Sequence, residues 1–375
     1  MGEMNDFANF CPGHSPFKIT YSRSVYDALK SIQPVANEVY GQSTIFLSPF
    51  TVFTNLFSSV LLLTKDLRNP FNVLLSIMCV ECALPHIIRA SSVYRQIIAA
   101  NTCTVETQTY SLALHELIVF NTWAPFRGAY TFTTAFLTLL RYIALKSKGK
   151  WEASYSLVVS GVTLIAAVSA GAGVPLFIIN VINYYPLNEA CNRPPVAGDN
   201  KTFVPHTGWS NKMYDNNCLL FYLDQGLSGI FHSTLPSLCL LIFTILLAYE
   251  IIQAQKGHHA VAARNSKKSD DATKAARMLS VVAILTLLSE LPQGLFGLAN
   301  FILPIGFQFN YSNQLLMLWF SIQNIATSLN LIIYLVMSKN FRKAVFTTFC
   351  FWLKRKTTSA PVSAISVKSI VSSKK

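Results

Sequence analysis

Charged side chains stand inside stretches of this sequence that are otherwise apolar. Among them are Glu81, Arg127, Arg141 and Glu290. Ionisable groups at membrane depth are costly, and by default they indicate a functional site. Arg127 and Arg141 fall on one predicted helix, about 21 Å apart along its axis. They therefore predict polar chemistry at two depths, one deep in the helix and one at its end, where a snorkelling arginine is the competing interpretation.

The stretches that must position these charges are each long enough to cross a bilayer. About 20 helical residues span a hydrocarbon core about 30 Å thick, and lipid forces each segment to satisfy its own backbone hydrogen bonds. The chain of 375 residues is 52% hydrophobic and 13% charged, whereas a soluble domain usually carries about 25% charge. These observations predict an all-α membrane protein, a seven-transmembrane helix bundle, and argue against a soluble all-α core. The predicted helices one to seven are Ile45–Leu63, Val73–Ile98, Leu117–Leu145, Ser156–Ile182, Gly226–Ile252, Met278–Leu303 and Asn313–Met337.

The net charge of +13 is unevenly placed. If the N-terminus is outside, most of the 30 Lys and Arg residues fall in the inner loops and after helix seven. The positive-inside rule then sets the N-terminus outside and the C-terminus inside, so the charge indicates topology rather than a nucleic-acid partner. Asn200 and Asn310 begin sequons in predicted outer loops and are candidate glycosylation sites.

Four segments follow from this pattern. We predict an extracellular tail over 1–43 without a cleavable signal peptide, the membrane bundle over 44–337, an amphipathic membrane-surface helix over 338–356, and a Ser/Thr-rich disordered cytoplasmic tail over 357–375. The surface helix implies contact with membrane lipid. Cys350 on it is a candidate for palmitoylation, and a free thiol against lipid is an equal interpretation. The tail is a candidate substrate for a kinase and then a site for arrestin.

Cysteines fall on both sides of the predicted membrane. Cys11, Cys103, Cys191 and Cys218 would lie outside, where disulfides persist. Their pairing is left open, because four cysteines allow three connectivities. The long outer loop over Asn183–Leu220 is rich in turn-forming residues and is expected to be an ordered lid.

Motifs at matching places along the predicted helices resemble those of rhodopsin-like (class A) G protein-coupled receptors. Within that class the chain is most similar to the nematode serpentine receptor class W and to FMRFamide/myosuppressin-type neuropeptide receptors. The resemblance covers all seven helices. Its motifs are Leu63-Thr64-Lys65-Asp66-Leu67-Arg68-Asn69-Pro70-Phe71-Asn72, Leu140-Arg141-Tyr142-Ile143-Ala144, Pro236, Ser289-Glu290-Leu291-Pro292-Gln293-Gly294, Asn330-Leu331-Ile332-Ile333-Tyr334 and Ser338-Lys339-Asn340-Phe341-Arg342-Lys343.

The resemblance implies a G protein switch at the inner end of the bundle. Arg141 and Tyr142 stand where the family holds its inactive state and then contacts the G protein. Asn330 and Tyr334 lie one helical turn apart, at a network that rearranges on activation. Leu331 replaces the family's proline, so we expect helix seven to be straighter there, since proline kinks a helix.

The resemblance also brings Arg127 and Glu290 face to face beneath a ligand pocket. We hypothesise that this pair couples ligand binding to helix six, with Glu81 as a competing partner for Arg127. Pro292 is the expected pivot of helix six, or otherwise a static kink. Cys82 stands where most relatives have a sodium-binding aspartate, which implies that sodium binding is lost or altered.

Aromatic and ionisable residues gather on the outer halves of the predicted helices. Acidic groups beside aromatic rings suit a basic, amidated peptide end such as Arg-Phe-amide, although each such residue taken alone is more often a packing or interface-anchoring group than a ligand contact. The pocket candidates are His86, Glu116, Trp123, Tyr130 and Asp224, with His115 and Arg89 nearby.

The predicted function is a plasma-membrane, multi-pass receptor. It would bind an extracellular peptide or small-molecule ligand, with an RF-amide neuropeptide favoured, and activate a heterotrimeric G protein. A chemosensory receptor of the same fold is the main alternative, and a small-solute transporter comes next. The sequence has no Gly-rich phosphate loop, no clustered metal ligands and no His-Glu-x-x-His, so neither an enzyme nor a cofactor is expected.

Overall fold

The protein is described by a computed structural model over residues 23–65, 67–101, 104, 107–147, 150–190, 202–213, 215–260, 266–303 and 312–357. Long helices dominate it, and a pair of short strands lies between the fourth and fifth predicted helices. In chain order the elements are α1 (Arg23–Leu62), α2 (Pro70–Asn101), α3 (Tyr110–Lys146), α4 (Tyr155–Ala172), α5 (Val174–Ile179), β1 (Asn180–Pro186), α6 (Leu187–Ala190), β2 (Phe203–Trp209), a 3-10 turn (Asn211–Met213), α7 (Asp215–Leu227), a π-helical segment (Ser228–Thr234), α8 (Leu235–Ala260), α9 (Ser266–Ile302), α10 (Asn313–Ser328), α11 (Asn330–Met337) and α12 (Lys339–Thr357).

Helix α3 lies at the centre of the bundle, in contact with α2, α4, α8 and α9. Helix α1 packs on α2 and α10. A buried apolar cluster around Met78, Leu137, Leu247 and Tyr334 joins the helices. Large apolar side chains also cover the outside of the bundle, including Phe46, Val60, Leu164, Ile245 and Val336. Such an exposed apolar surface is unusual for a soluble monomer and fits a helical bundle surrounded by lipid.

Six helical segments in the described part of the chain are long and apolar enough to cross a membrane. They are Asp27–Leu62, Pro70–Tyr94, Tyr155–Ile179, Cys218–Ala254, Ala275–Ile302 and Leu315–Met337. Helix α3, which contains the predicted third span, is not among them. It carries buried polar side chains such as Asn121, Arg127 and Thr134, which lower its hydropathy. Because its neighbours surround it, those groups face protein rather than lipid.

The ends of the first and fourth helices differ from the sequence prediction. Helix α1 begins at Arg23, so one continuous helix runs through the second half of the predicted tail. The fourth helix is interrupted at Gly173 and ends at Ile179 instead of Ile182. From Asn180 the chain becomes strand β1, which pairs antiparallel with β2 in a register running from Asn180↔Trp209 to Pro186↔Phe203. This hairpin gives the predicted lid an ordered framework.

The fifth helix widens into a π-helical segment over Ser228–Thr234, just before Pro236. Proline has no N–H to donate back along the helix, and π segments are rare, occurring mostly as single-turn bulges inside α-helices. The segment places His232 in the bundle interior, with Nε2 2.8 Å from Ser169 O. Gly128 lets α3 approach this segment closely, since a Cβ at Gly128 would lie 2.9 Å from His232 Cα.

The seventh helix is interrupted at Leu329, between α10 and α11. The break is a single residue with helical φ and ψ angles, and the expectation of a straighter helix without proline stays a prediction. Hydroxyls bond to the preceding turn here, with Thr327 Oγ1 donating to Gln323 O at 2.8 Å and Ser328 Oγ donating to Ile325 O at 2.7 Å. Such back-bonding by Ser and Thr often bends helices, so hydroxyl groups supply the irregularity that proline gives elsewhere.

Candidate functional site

A cavity that is partly open to solvent lies between α2, α3, α9 and α10. The predicted pocket residues His86, Trp123 and Tyr130 line it, whereas Glu116 and Asp224 are not among its lining residues. The full lining is Cys82, Pro85, His86, Arg89, Trp123, Arg127, Tyr130, Glu290, Gln323, Asn324 and Thr327. The cavity thus joins the predicted pocket to the predicted Arg127–Glu290 pair.

Arg127 and Glu290 form a buried ion pair at the base of this cavity. Their Nε and Oε2 atoms are 2.9 Å apart, and the side chains are only 8% and 3% exposed. Arg127 Nη2 donates to Ser233 Oγ at 2.8 Å, and Gln323 Nε2 donates to Glu290 Oε1 at 3.1 Å. Because these partners come from α3, α9, α10 and the π segment, the pair ties four parts of the bundle together. Glu81, the competing partner, makes no ion pair with Arg127.

The pair is not fully satisfied by its neighbours. Among the described residues, Arg127 Nη1 is buried without a hydrogen-bond partner, and the Nε–Oε2 contact lacks the alignment of a hydrogen bond. Removing one member of a buried ion pair typically costs 3–5 kcal/mol, because the other charge is left buried alone. The ion pair therefore fixes the Arg127 guanidinium in position, while Nη1 of that group has no acceptor among the described residues.

Arg89 lies against three aromatic rings. Its Cζ atom is 4.0 Å from the ring centroids of Trp123 and Phe320 and 5.2 Å from that of Tyr40. The indole of Trp123 also contacts Arg127, whose Cζ is 4.7 Å from the ring centroid. Sequence reasoning named Arg89 and Trp123 but missed Tyr40 and Phe320. These residues lie on α1 and α10, which are distant in sequence, so no local pattern could have found them.

His86 and Tyr130 connect helices around the cavity. His86 Nδ1 lies 3.3 Å from Ser48 Oγ on α1, and its Nε2 lies 2.9 Å from Thr327 Oγ1 on α10. The hydroxyl of Tyr130 is 3.0 Å from Thr286 Oγ1 on α9. Both side chains are buried, so they position the cavity wall and have polar partners within the protein.

The two predicted acidic residues lie apart from each other and outside the cavity lining. Glu116 Oε2 accepts a hydrogen bond from Thr207 Oγ1 at 3.3 Å and is 3.9 Å from His206 Nδ1 on the hairpin. Asp224 is buried on α7, and its Oδ2 accepts from Gln225 Nε2 at 3.3 Å. Its Oδ1 has no hydrogen-bond partner within the described chain. Only Glu116 is tied to the hairpin above the cavity.

The predicted switch residues lie at the opposite end of α3. The guanidinium of Arg141 stacks on Phe71, with Cζ 4.0 Å from the ring centroid. In the described part of the chain, no carboxylate forms an ion pair with Arg141. Tyr142 accepts a hydrogen bond from Lys146 Nζ at 3.0 Å, and this contact raises the pKa of the exposed Lys146 ammonium. An aromatic ring is therefore the partner of Arg141.

Asn330 and Tyr334 are buried beside two thiols of α2. Asn330 Nδ2 is 4.0 Å from Cys82 Sγ, and the Tyr334 hydroxyl is 3.9 Å from Cys79 Sγ. Both cysteines are free thiols, and sulfur is a weak hydrogen-bond partner. The ring of Tyr334 also packs at 5.7 Å against Phe341 of α12. This end of the bundle is thus held by weak polar contacts and apolar packing.

Pro292 lies within α9, which continues through it. The turn around it packs closely on the π segment. Thr234 Oγ1 donates to Gly294 O at 2.9 Å, and a Cβ on Gly229 would lie 2.8 Å from the backbone carbon of Gly297. The cavity-facing half of α9 is therefore fixed against the fifth helix.

The cysteine and modification candidates are only partly described. Cys218 is disulfide-bonded, and it is buried with a positive φ of 62°. Its partner lies outside the described residues, as do the predicted positions Cys11, Cys103, Cys191, Asn200 and Asn310. Cys350 lies on the backbone of α12, and its side chain is outside the described part.

Two comparisons with known proteins place this geometry in context. The model of a family described as serpentine type 7TM GPCR chemoreceptor Srw matches residues 42–352. The G-protein coupled receptor dmsr-1 of Caenorhabditis elegans is 27% identical over 233 residues, which cover 60% of this chain and 44% of that relative. The chain thus matches less than half the length of this curated relative.

Proposed function

The chain belongs to the Srw family of serpentine seven-transmembrane G protein-coupled receptors, and we propose that its ligand is a short extracellular peptide with an amidated Arg-Phe end. As a member of this family it is a multi-pass membrane receptor for which an extracellular ligand and a G protein are the implied partners. The observation that carries the proposal is the cavity lined by aromatic and charged groups, whose base is the Arg127–Glu290 pair.

The protein offers a group of suitable chemistry to each part of an amidated Arg-Phe end. Glu116, at the hairpin side of α3, offers a carboxylate to the ligand arginine. Asp224 on α7 has a carboxylate oxygen without a hydrogen-bond partner among the described residues. The aromatic rings of Trp123 and Tyr40 offer apolar surface to the ligand phenylalanine, while Arg89 and Arg127 already occupy their cation-binding faces. A ligand carbonyl would find the guanidinium groups deeper in the cavity.

We further propose that the bundle crosses the membrane seven times, with α3 as the central crossing and the N-terminus outside. This topology places the hairpin outside and Arg141 inside, in line with the positive-inside rule. Helix α12 would then lie on the inner leaflet of the plasma membrane. Arg342 of α12 donates from Nη1 to Leu335 O at 2.9 Å and Val336 O at 2.7 Å, so this helix is fixed to the end of α11.

The proposed mechanism is a population shift between two positions of α9. The ligand changes the balance only by binding one conformation more tightly than the other. Glu290 is the cavity group carried by α9 itself, so its contacts with Arg127 and Gln323 would transmit ligand binding to that helix. Movement of the distant end of α9, with Pro292 as pivot, would free Arg141 from Phe71 and expose the G protein site.

A chemosensory receptor for small molecules is the second candidate. The family description names chemoreceptors, and the cavity lies between helices of a bundle, where small-molecule sites are often found. The two candidates differ in the contribution of the hairpin side. A peptide needs Glu116 there, whereas a small molecule can be enclosed by the cavity alone.

The test is a ligand panel on transfected cells, with agonist-dependent dissociation of G protein subunits as the measurement. RF-amide peptides, other short amidated peptides and small volatile or water-soluble odorants form three arms. We expect a response to RF-amides that Glu116→Gln reduces at least tenfold in potency, with Glu38→Gln on the exposed part of α1 as the matched control. A response to odorants alone would support the chemosensory candidate and overturn the peptide proposal. Substrate flux into liposomes without nucleotide exchange would indicate a transporter instead.

A further inference from the structure

The cavity carries more positive than negative charge. Its charged lining consists of the guanidinium groups of Arg89 and Arg127 and the carboxylate of Glu290. Glu290 already contacts Arg127 at 2.9 Å and accepts from Gln323 at 3.1 Å. One positive charge among the described lining residues is therefore without a counter-charge.

Both guanidinium groups rest against one indole. The Cζ atoms of Arg89 and Arg127 are 4.0 Å and 4.7 Å from the ring centroid of Trp123. Like charges so near each other repel, and more strongly when water is excluded. The aromatic faces of Trp123 and Phe320 offset part of this cost through cation–π attraction, but a ring supplies no formal negative charge.

Arg127 also retains a donor that no described residue uses. Arg127 is 6% exposed, and its buried Nη1 has no hydrogen-bond partner among the described residues. Arg89 is held by rings on three sides and makes no ion pair within the described part of the chain. A buried donor normally has a partner, so Arg127 Nη1 is available to an acceptor that the described residues do not provide, and Arg89 adds a positive charge beside it.

We propose that Arg89 and Arg127 form a subsite for a terminal oxygen acceptor of the ligand, which binds a carboxylate best, a terminal amide carbonyl less well and an ammonium group worst. This deepens the proposed function, because it states which end of the ligand enters the cavity first. A carboxylate supplies the missing charge and can accept two hydrogen bonds from one guanidinium in the bidentate geometry that arginine favours. An amide carbonyl offers the same acceptor without the charge, which is compatible with an amidated peptide end.

The test uses three small probes that share a phenyl ring and differ in the charge of the end group: phenylacetate, phenylacetamide and phenethylamine. The purified full-length receptor is placed in lipid nanodiscs, and the thermal unfolding temperature is followed as each probe is titrated. Binding to the folded state raises this temperature by an amount that grows with the logarithm of one plus the ratio of probe concentration to Kd, so the titration gives the Kd of each probe. We expect phenylacetate to bind about tenfold more tightly than phenethylamine, with phenylacetamide between them. Phenethylamine binding as tightly as phenylacetate, or the absence of any shift with all three probes, overturns the subsite.

The variants separate charge from folding. Arg89→Gln is expected to remove the advantage of phenylacetate over phenylacetamide, and Arg89→Lys to retain part of it. Arg127→Gln alone would leave Glu290 buried and unpaired, so it is combined with Glu290→Gln, which keeps the cavity neutral at that point. Arg68→Gln, at an exposed position away from the cavity, is the matched control and should keep the wild-type order.

This measurement is independent of signalling. If the acid preference is present and no ligand activates a G protein, the subsite stands and the proposed peptide function fails. If RF-amides activate the receptor but the wild-type protein shows no preference for phenylacetate, the proposed function stands and the subsite is overturned.

Discussion

The guanidinium of Arg141 stacks on the ring of Phe71 at 4.0 Å. Leu140 precedes Arg141 where the wider receptor class has an acidic residue, so the adjacent carboxylate is missing from this sequence. Phe71 lies near the start of α2 and Arg141 near the end of α3. A contact between two helices thus holds the arginine that is expected to meet the G protein.

If this stack stabilises the inactive conformation, its loss will raise activity without ligand. Phe71→Leu removes an attraction of about 1 kcal/mol and should raise basal G protein activation about fivefold. Phe71→Tyr keeps an aromatic face and serves as the control. The measurement is basal G protein dissociation, normalised to the amount of receptor at the cell surface. Equal basal activity in Phe71→Leu and the wild type would show that the stack does not restrain Arg141.

The ion pair at the base of the cavity predicts a charge-swap result. Arg127→Glu and Glu290→Arg each leave two like charges buried together, and each should lower the unfolding temperature of the purified receptor and its surface level severely, since breaking a buried pair costs about 3–5 kcal/mol. The double variant restores opposite charges and should recover a substantial part of the loss. Coupling through the pair is rejected if the double variant is no better folded or active than either single one.

Close approach of the fifth and sixth helices predicts an unusual sensitivity to one methyl group. A Cβ on Gly297 would lie 2.9 Å from Gly229 Cα, whereas a Cβ on Gly171 meets nothing within 4 Å. Gly297→Ala should therefore destabilise the receptor by about 1–3 kcal/mol through overpacking. Gly171→Ala, in helix α4, should be neutral or stabilise by about 0.4–1 kcal/mol. Thermal unfolding of the two variants side by side is the measurement, and equal unfolding temperatures would contradict the packing argument.

The helical bundle could be predicted because its evidence is local. An apolar stretch of sufficient length indicates a helix by itself, and six of the predicted spans reappear as helices that meet the length and hydropathy criteria. The third predicted span is the exception. Neighbouring helices bury the polar side chains of α3, so this helix can lie in the core of the bundle without an apolar composition. The strand pairing of Asn180–Pro186 with Phe203–Trp209 could not be predicted, because the pattern of apolar residues does not indicate which segments pair. The break at Leu329 could not be predicted either, because it depends on hydrogen bonds of hydroxyl groups.

The cavity shows the same division. Arg127 and Glu290 can be identified from the sequence because they are charged residues in apolar helices. The receptor resemblance then predicts that they lie at the same depth in the bundle. The aromatic surround of Arg89 combines Tyr40 on α1 with Phe320 on α10, which approach only after folding. Phe71 is equally hard to identify as the partner of Arg141, since phenylalanine is common in the sequence, with 26 occurrences. Individual charges could be found from the sequence, but the rings that hold them could not.

The junction between α11 and α12 predicts a local change in mobility. Arg342 Nη1 bonds to the carbonyl oxygens of Leu335 and Val336, which belong to the last turn of α11 and have no later helical N–H to accept from. Arg342→Ala removes both charge-assisted bonds, each worth about 1.5–3 kcal/mol at most, and should loosen α12 from the bundle. Hydrogen exchange of the backbone amides over residues 339–348 should become at least tenfold faster, while Lys343→Ala, at the exposed neighbouring position, should leave it unchanged. If both variants exchange at the wild-type rate, α12 is held in place by the packing of Phe341 on Tyr334 and not by the arginine.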